Sequence, residues 1–289
     1  MQAINREDFL SRNFEHIVFS GGGNRCWWQA GMVEVLSQLP CWNARQLFGA
    51  SAGAGIATAF ATGKIHNSLH AAITRFDATP RNVEWRDLLK GKRPFMLPRI
   101  YPEWITTFLE APDLARLRSL NLRVQVAITR PIPLLPLSLS TLVALTLYAT
   151  EKYWMKTFHS RLPHKVGLRA EYHDIGESLH IDDARSLLLA SGAAVPITPI
   201  HRVSGRPALD GGFYDNQPLP QDRNADASTL VLLTRHNPAQ PTMFEYDKRV
   251  YLQPTSPVAA INMDCTSGDN VRKTYEQGRR EAEALAGRP

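Results

Sequence analysis

The sequence predicts an α/β fold, a three-layer sandwich in which a mainly parallel central sheet is flanked by helices. Three observations predict it. The apolar run His16-Ile17-Val18-Phe19-Ser20 enters Gly21-Gly22-Gly23, and Trp28, Met32, Val35, Leu36 and Leu39 follow at helical spacing. A second run, Gln46-Leu47-Phe48, enters Gly49-Ala50-Ser51-Ala52-Gly53, with a small-residue helix over 54–61 behind it. Two strand–turn–helix units within about 45 residues argue for parallel strands joined by helical crossovers. Finally, Thr229-Leu230-Val231-Leu232-Leu233 is a continuous apolar run, the pattern of a strand buried on both faces.

The remaining elements follow in order. Pro40 stops the first helix, because proline supplies no helical N–H donor. Residues 66–78 and 103–118 read as helices separated by a loop, and 122–128 alternates as a third strand. A partly apolar insertion over 131–180 precedes a helix at 182–191. The chain closes on an amphipathic helix carrying Val271, Tyr275, Gly278, Ala282 and Leu285 on one face. With no internal repeat and no low-complexity linker, the expectation is one domain over 1–289 with a lid-like insertion. Residues 131–150 carry no charge, but Pro131, Pro133 and Pro136 spoil the first third. The remaining helix of roughly 13 residues is short of the about 20 that cross a bilayer. It reads as a buried cap or a lipid-contacting lid.

Composition narrows the class. Of 289 residues, 44% are hydrophobic and 21% charged, which is ordinary globular usage and excludes a disordered chain. The net charge of +6 is scattered, and the densest patch, Lys90, Lys92 and Arg93, is too small for a nucleic-acid footprint; the mild basic excess fits attraction to an anionic lipid surface or no specific role at all. Cys26, Cys41 and Cys265 are odd in number and lack metal-site spacing. Residues 1–10 have no apolar signal core. Together these point to the cytoplasm, with contact at a membrane periphery or export without a signal peptide left open. His66 and His70 stand four apart, but with no acidic neighbour in sequence they read as a solvated helix face and not a metal site.

The chemistry lies in three glycine-containing segments. Gly49-x-Ser51-x-Gly53 has the form of a nucleophile elbow, whose strained turn needs small neighbours. The helix behind it directs free N–H groups and its positive dipole end toward the serine. Gly21-Gly22-Gly23 can turn backbone N–H groups toward a developing oxyanion. It also approaches the dinucleotide fingerprint, but Cys26 holds that motif's last position and no Asp or Glu lies between residues 35 and 50. Asp210-Gly211-Gly212 can carry a carboxylate to the carboxyl edge of the sheet, although an Asp-Gly alone is more often a turn.

In this order the three segments resemble the patatin-like phospholipase family. The likeness extends through Asp210-Gly211-Gly212-Phe213-Tyr214-Asp215-Asn216-Gln217-Pro218 and the preceding Ala190-Ser191-Gly192-Ala193-Ala194-Val195-Pro196. It covers residues 14–62 and about 182–236; the 131–180 insertion matches nothing recognisable. The resemblance implies a lipid acyl hydrolase of phospholipase A or lysophospholipase type, without metal or cofactor, acting on a phospholipid or other lipid ester. It implies a Ser–Asp dyad of Ser51 and Asp210. The oxyanion loop would be Gly21, Gly22 and Gly23 with Arg25 beside it, the elbow would hold Gly49 and Gly53, and Gly211 and Gly212 would shape the aspartate loop. An aspartate ionising near 3.9 is a feeble base, so the dyad requires a desolvated Asp210. The family has glycine where this chain has Cys26, which would be strained if that position needs a positive φ.

Three alternatives stay open. Ser51, Asp210 and His236 occur in the order of an α/β-hydrolase triad, although only about 50 residues precede the serine where that fold places several strands. An acyltransferase would share the acyl-enzyme. A non-catalytic lipid-binding protein would use residues 131–150 with Trp85, Trp104 and Trp154.

Overall fold

The computed structural model describes residues 1–155, 158–160 and 162–287, apart from the side chains of Lys152, Tyr153 and Met155. Among the described residues ten strands form one sheet: β1 (Gln2–Ala3), β2 (Phe14–Phe19), β3 (Trp42–Ala50), β4 (Arg123–Arg130), β5 (Arg169–Asp174), β6 (His201–Val203), β7 (Arg206–Asp210), β8 (Thr229–Leu232), β9 (Met243–Tyr246) and β10 (Arg249–Leu252). Its order is β1-β9-β10-β8-β2-β3-β4-β7-β6, with β5 also paired to β4. The central run from β10 to β4 is parallel, and the flanking pairs are antiparallel. Helices flank the sheet: α1 (Arg6–Leu10), α2 (Trp27–Leu36), α3 (Ala52–Ala61), α4 (Ile65–Asp77), α5 (Leu97–Thr106), α6 (Ala111–Ser119), α7 (Leu137–Ala149), α8 (Leu162–Lys165), α9 (Ile181–Ser191) and α10 (Gly268–Ala286). This is the expected α/β architecture with a mostly parallel centre.

Alternation sorts the strand residues into two faces. Phe19, Leu47, Val126 and Leu232 pack with the residues of α2, α3, α5, α9 and α10 in the main core. Val18, Phe48, Val231 and Tyr251 face the other way, against Phe158, Tyr172 and Phe244. The second face thus carries aromatic rings of the sheet's own strands, over which Phe158 packs.

One topological detail decides where the chemistry falls. A strand has two edges, and β5 occupies one edge of β4 along its length, including Ile128 opposite Glu171 and Thr129 opposite Ala170. The other edge pairs with β3 up to Ala50 opposite Ala127. Immediately beyond, Ile128 pairs with Asp210 of β7. β3 therefore ends where β7 takes over the same edge, and the residue after β3, Ser51, meets the last residue of β7, Asp210.

Three expectations need correction. Residues 103–118 are not one helix: α5 ends at Thr106 and α6 starts at Ala111. Glu110 caps α6 in a reciprocal box with Asp113, and Pro112 sits in the first turn, where a missing N–H is harmless. The 131–180 insertion does not lie wholly apart from the sheet, because its tail supplies β5 and extends it. Its apolar stretch forms the 13-residue α7, which packs through Ala144 and Tyr148 on Leu209 and Phe213. Among the described residues no helix is long and apolar enough to cross a membrane. Finally, Cys26 has φ −64°, so it is unstrained. His66 and His70 are exposed as expected, although His66 lies 3.0 Å from Glu34 of α2, an acidic partner not evident in the sequence.

Candidate active site

Ser51 stands at the turn between β3 and α3 with φ 55° and ψ −132°, a conformation that L residues rarely adopt. Its two glycine neighbours explain how the turn closes. A Cβ on Gly49 would lie 2.4 Å from Ala54 Cα, and one on Gly53 would lie 2.4 Å from Phe19 O. The Ser51 N–H donates to Ser191 Oγ at 2.9 Å, and that hydroxyl donates to Ala127 O at 2.7 Å. Ser191 of α9 thus ties the strained turn to β4. Such strain persists only where surrounding contacts over-determine it.

Ser51 Oγ donates a 2.8 Å hydrogen bond to Asp210 Oδ2. Asp210 Oδ1 accepts from Gly212 N–H at 2.8 Å. The Asp210 backbone is held by its N–H to Ala193 O at 3.1 Å and by Thr129 Oγ1 donating to its carbonyl at 2.8 Å. Burial pushes the carboxyl up to about 6 from an ordinary 3.8, against the opposing pull of the Gly212 N–H and the Ser51 hydroxyl. The desolvation that the dyad requires is therefore present.

The glycine-rich loop after β2 lies beside this pair. Gly21 N–H donates to Asn216 O at 2.9 Å, while Gly21 O accepts from Asn216 Nδ2 at 2.6 Å and from Thr234 Oγ1 at 3.1 Å. The expected oxyanion role of Gly21 is corrected accordingly: its N–H is already engaged, and it anchors the loop. The N–H groups of Gly22 and Gly23 meet no acceptor among the described residues. Gly23 has φ +56°, and a Cβ there would lie 1.9 Å from Asn262 O, so no other residue fits. Arg25 is half-buried and lines the same cavity. Cys26 is buried behind the loop, its Sγ 3.4 Å from Ser20 O; burial pushes its thiol up to about 12, which keeps it protonated.

These groups open on one cavity of about 800 Å³. Ser51, Asp210 and Gly21 to Gly23 line it together with apolar side chains that include Ile56, Phe76, Ile100, Trp104, Leu145 and Val195. A volume in this range accommodates a drug-sized ligand or an acyl chain. Gly211 and Gly212 let the aspartate loop pass close to β4: a Cβ on Gly211 would lie 2.4 Å from Ala127 O. His236 also borders the cavity, but its Nδ1 is bonded to Pro254 O at 2.9 Å, and neither ring nitrogen is bonded to Ser51 or Asp210. Among the described residues no three His, Cys, Asp or Glu are grouped to hold a metal ion.

The fold brings Ser51, Asp210, Gly22, Gly23, Gly49, Gly53, Gly211 and Gly212 to one place. The supporting roles of Ser191, Thr129, Asn216 and Thr234 were not expected from the sequence. Ser191 and Asn216 stand inside the quoted motifs, which was the available signal; Thr129 and Thr234 carry none.

Comparison with known proteins gives two matches of different kinds. The chain is similar to the crystal structure of VipD from Legionella pneumophila, at 13% identity and a TM-score of 0.46, covering 95% of this chain and 67% of that one. No curated protein matches the chain. The family model of patatin-like phospholipase matches residues 17–222, a span that runs from β2 through the Ser51 elbow and the Asp210 loop. The chain belongs to the patatin-like phospholipase family, a family of lipid hydrolases.

Proposed function

We propose that this chain hydrolyses lipid esters of the phospholipid or lysophospholipid class through a Ser51–Asp210 dyad. The observation that carries the reading is the 2.8 Å hydrogen bond from Ser51 Oγ to a buried, up-shifted Asp210, both lining a largely apolar cavity. Ser51 Oγ attacks the ester carbonyl carbon as its proton passes to Asp210 Oδ2. Negative charge develops on the carbonyl oxygen, where the N–H groups of Gly22 and Gly23 and the N-terminus of α3 are available to hold it. Asp210 then returns the proton to the departing alkoxide, leaving an acyl-serine. Water attacks the acyl group in turn, its proton goes to Asp210, and collapse frees the carboxylic acid and restores the Ser51 hydroxyl.

A raised Asp210 fits both halves of this cycle, since a base with a pKa near the working pH can accept and return a proton. The test is fatty acid release from phospholipid and lysophospholipid by wild type and Ser51→Ala. Release by the wild type alone supports the reading. Equal release by the variant, or none from any lipid ester by the folded wild type, contradicts it. Acyl transfer to another acceptor shares every step up to the acyl-serine, and product analysis separates the two.

A further inference from the structure

Large exposed hydrophobic side chains are unevenly distributed over this molecule. Of eleven among the described residues, seven fall in two short segments. The first is the 3-10 helix Trp85–Lys90, with Trp85 68%, Leu88 54% and Leu89 90% exposed. The second runs from Leu134 through α7 to Trp154, the latter 87% exposed. Trp104 belongs to neither, because it is buried and donates to Ser68 O.

Both segments abut the loop over 192–198, which lines the cavity. Arg93 Nη1 donates to Pro196 O at 2.6 Å, and Leu145 and Tyr148 of α7 cluster with Val195. Leu97, just beyond the first segment, lines the cavity together with Leu145 and Val195. Residues beside or within both exposed segments therefore reach the cavity that holds Ser51: Leu97, Leu145 and Tyr148 line it, and Arg93 bonds to its lining loop.

The charge on the first segment and the three residues after it is one-sided. Arg86, Lys90, Lys92 and Arg93 are all exposed and have no carboxylate partner among the described residues. The neighbouring acids are already neutralised: Glu84 lies 3.4 Å from Arg81, and Asp87 is paired with Arg99. The Arg99 hydrogen bond holds the Asp87 carboxyl below its ordinary range, with smaller help from the charges of Lys90 and Lys92. Arg235, exposed at the cavity rim, likewise has no carboxylate partner among the described residues. An exposed tryptophan and two leucines among four exposed cations without a close ion-pair partner match a bilayer interface, where indole sits at head-group level and lysine and arginine meet anionic lipid. A purely apolar surface would fit another protein equally well; this charge favours lipid.

We infer that the cavity rim is a docking face for an anionic phospholipid bilayer, anchored by residues 85–93 and completed by the exposed face of α7. The inference builds on the lipid-hydrolase reading, since docking would present the cavity mouth directly to its substrate. Because binding and turnover are separate observables, each can fail without the other.

The experiment is co-sedimentation of the Ser51→Ala protein, which leaves the lipid intact, with vesicles of phosphatidylcholine alone or mixed with phosphatidylserine. The expected result is preferential binding to the mixed vesicles that weakens as salt rises. Leu88→Ser/Leu89→Ser and Lys90→Glu/Lys92→Glu should each lower that binding about tenfold or more, given the strength of each basic residue near an anionic surface and of each buried apolar group. Unchanged thermal unfolding shows that these exposed substitutions leave the fold intact. Equal binding to both vesicle types, no binding to either, or binding insensitive to both double variants overturns the proposal. Docking as described with no lipid hydrolysis by wild type would leave it standing and remove the proposed activity instead.

Discussion

Replacing Asp210 by asparagine should stabilise the fold while abolishing turnover, and the size of the effect follows from the buried carboxyl. The side chain is 8% exposed, and burial carries its pKa from 3.8 to about 6. In the unfolded chain the carboxyl ionises near its ordinary value; in the folded protein it holds its proton until about pH 6. Between those values the folded state binds the extra proton, so stability falls as pH rises through the window. Above it the full penalty stands, about 3 kcal/mol for a difference of this size. Asparagine has nearly the same shape, keeps an oxygen to accept from Gly212 N–H, and carries no charge to desolvate. Urea unfolding of both proteins at about pH 4 and about pH 8 isolates the effect, because the other titrating groups are shared. Relative to wild type, Asp210→Asn should gain about 2.5 kcal/mol between the two conditions, a little under the full penalty because the unfolded carboxyl is already partly ionised at pH 4. A stability difference that is the same at both pH values, or that moves against the variant as pH rises, refutes the desolvated carboxylate.

Four other outcomes are expected. Hydrolysis by the wild type should rise with pH to a plateau, with its midpoint near the Asp210 value of about 6, measured as kcat/KM on a soluble ester. Gly23→Ala must move either the loop or Asn262, since the new methyl would lie 1.9 Å from Asn262 O; loss of an aligned oxyanion donor should lower kcat about 10²-fold. Ser191→Ala strands the Ser51 N–H and Ala127 O, and should cost about 1–3 kcal/mol in urea unfolding together with activity. His236→Ala should keep most of the wild-type kcat, because His236 contacts Pro254 O and not the dyad.

Those features of the fold that depend on local pattern were legible in the sequence. The elbow announces itself because a positive-φ serine between crossing elements needs glycine on both sides, and the parallel strands show as apolar runs because both faces are covered. β5 was missed for the opposite reason. Its sequence, Arg169-Ala-Glu-Tyr-His-Asp174, is polar, and its residues are half-buried or exposed, so no apolar period marks it; pairing with β4 fixes it instead. The break between α5 and α6 was readable in Glu110, Pro112 and Asp113, a capping box with proline in the first turn, but the apolar spacing on either side masks it. At the site, the residue types were evident, whereas the division of labour among the glycines was not. Only the positions of Asn216 and Thr234, far along the chain, reveal that Gly21 anchors the loop and leaves Gly22 and Gly23 as the free donors.

The central claim is that Asp210 activates Ser51, and labelling with a fluorophosphonate tests it most directly. In the presence of lipid vesicles the wild type should form one covalent adduct, mapped by peptide mass to Ser51, while Ser51→Ala and Asp210→Asn stay unlabelled. An adduct on another serine, or labelling of Asp210→Asn at the wild-type rate, would contradict the dyad.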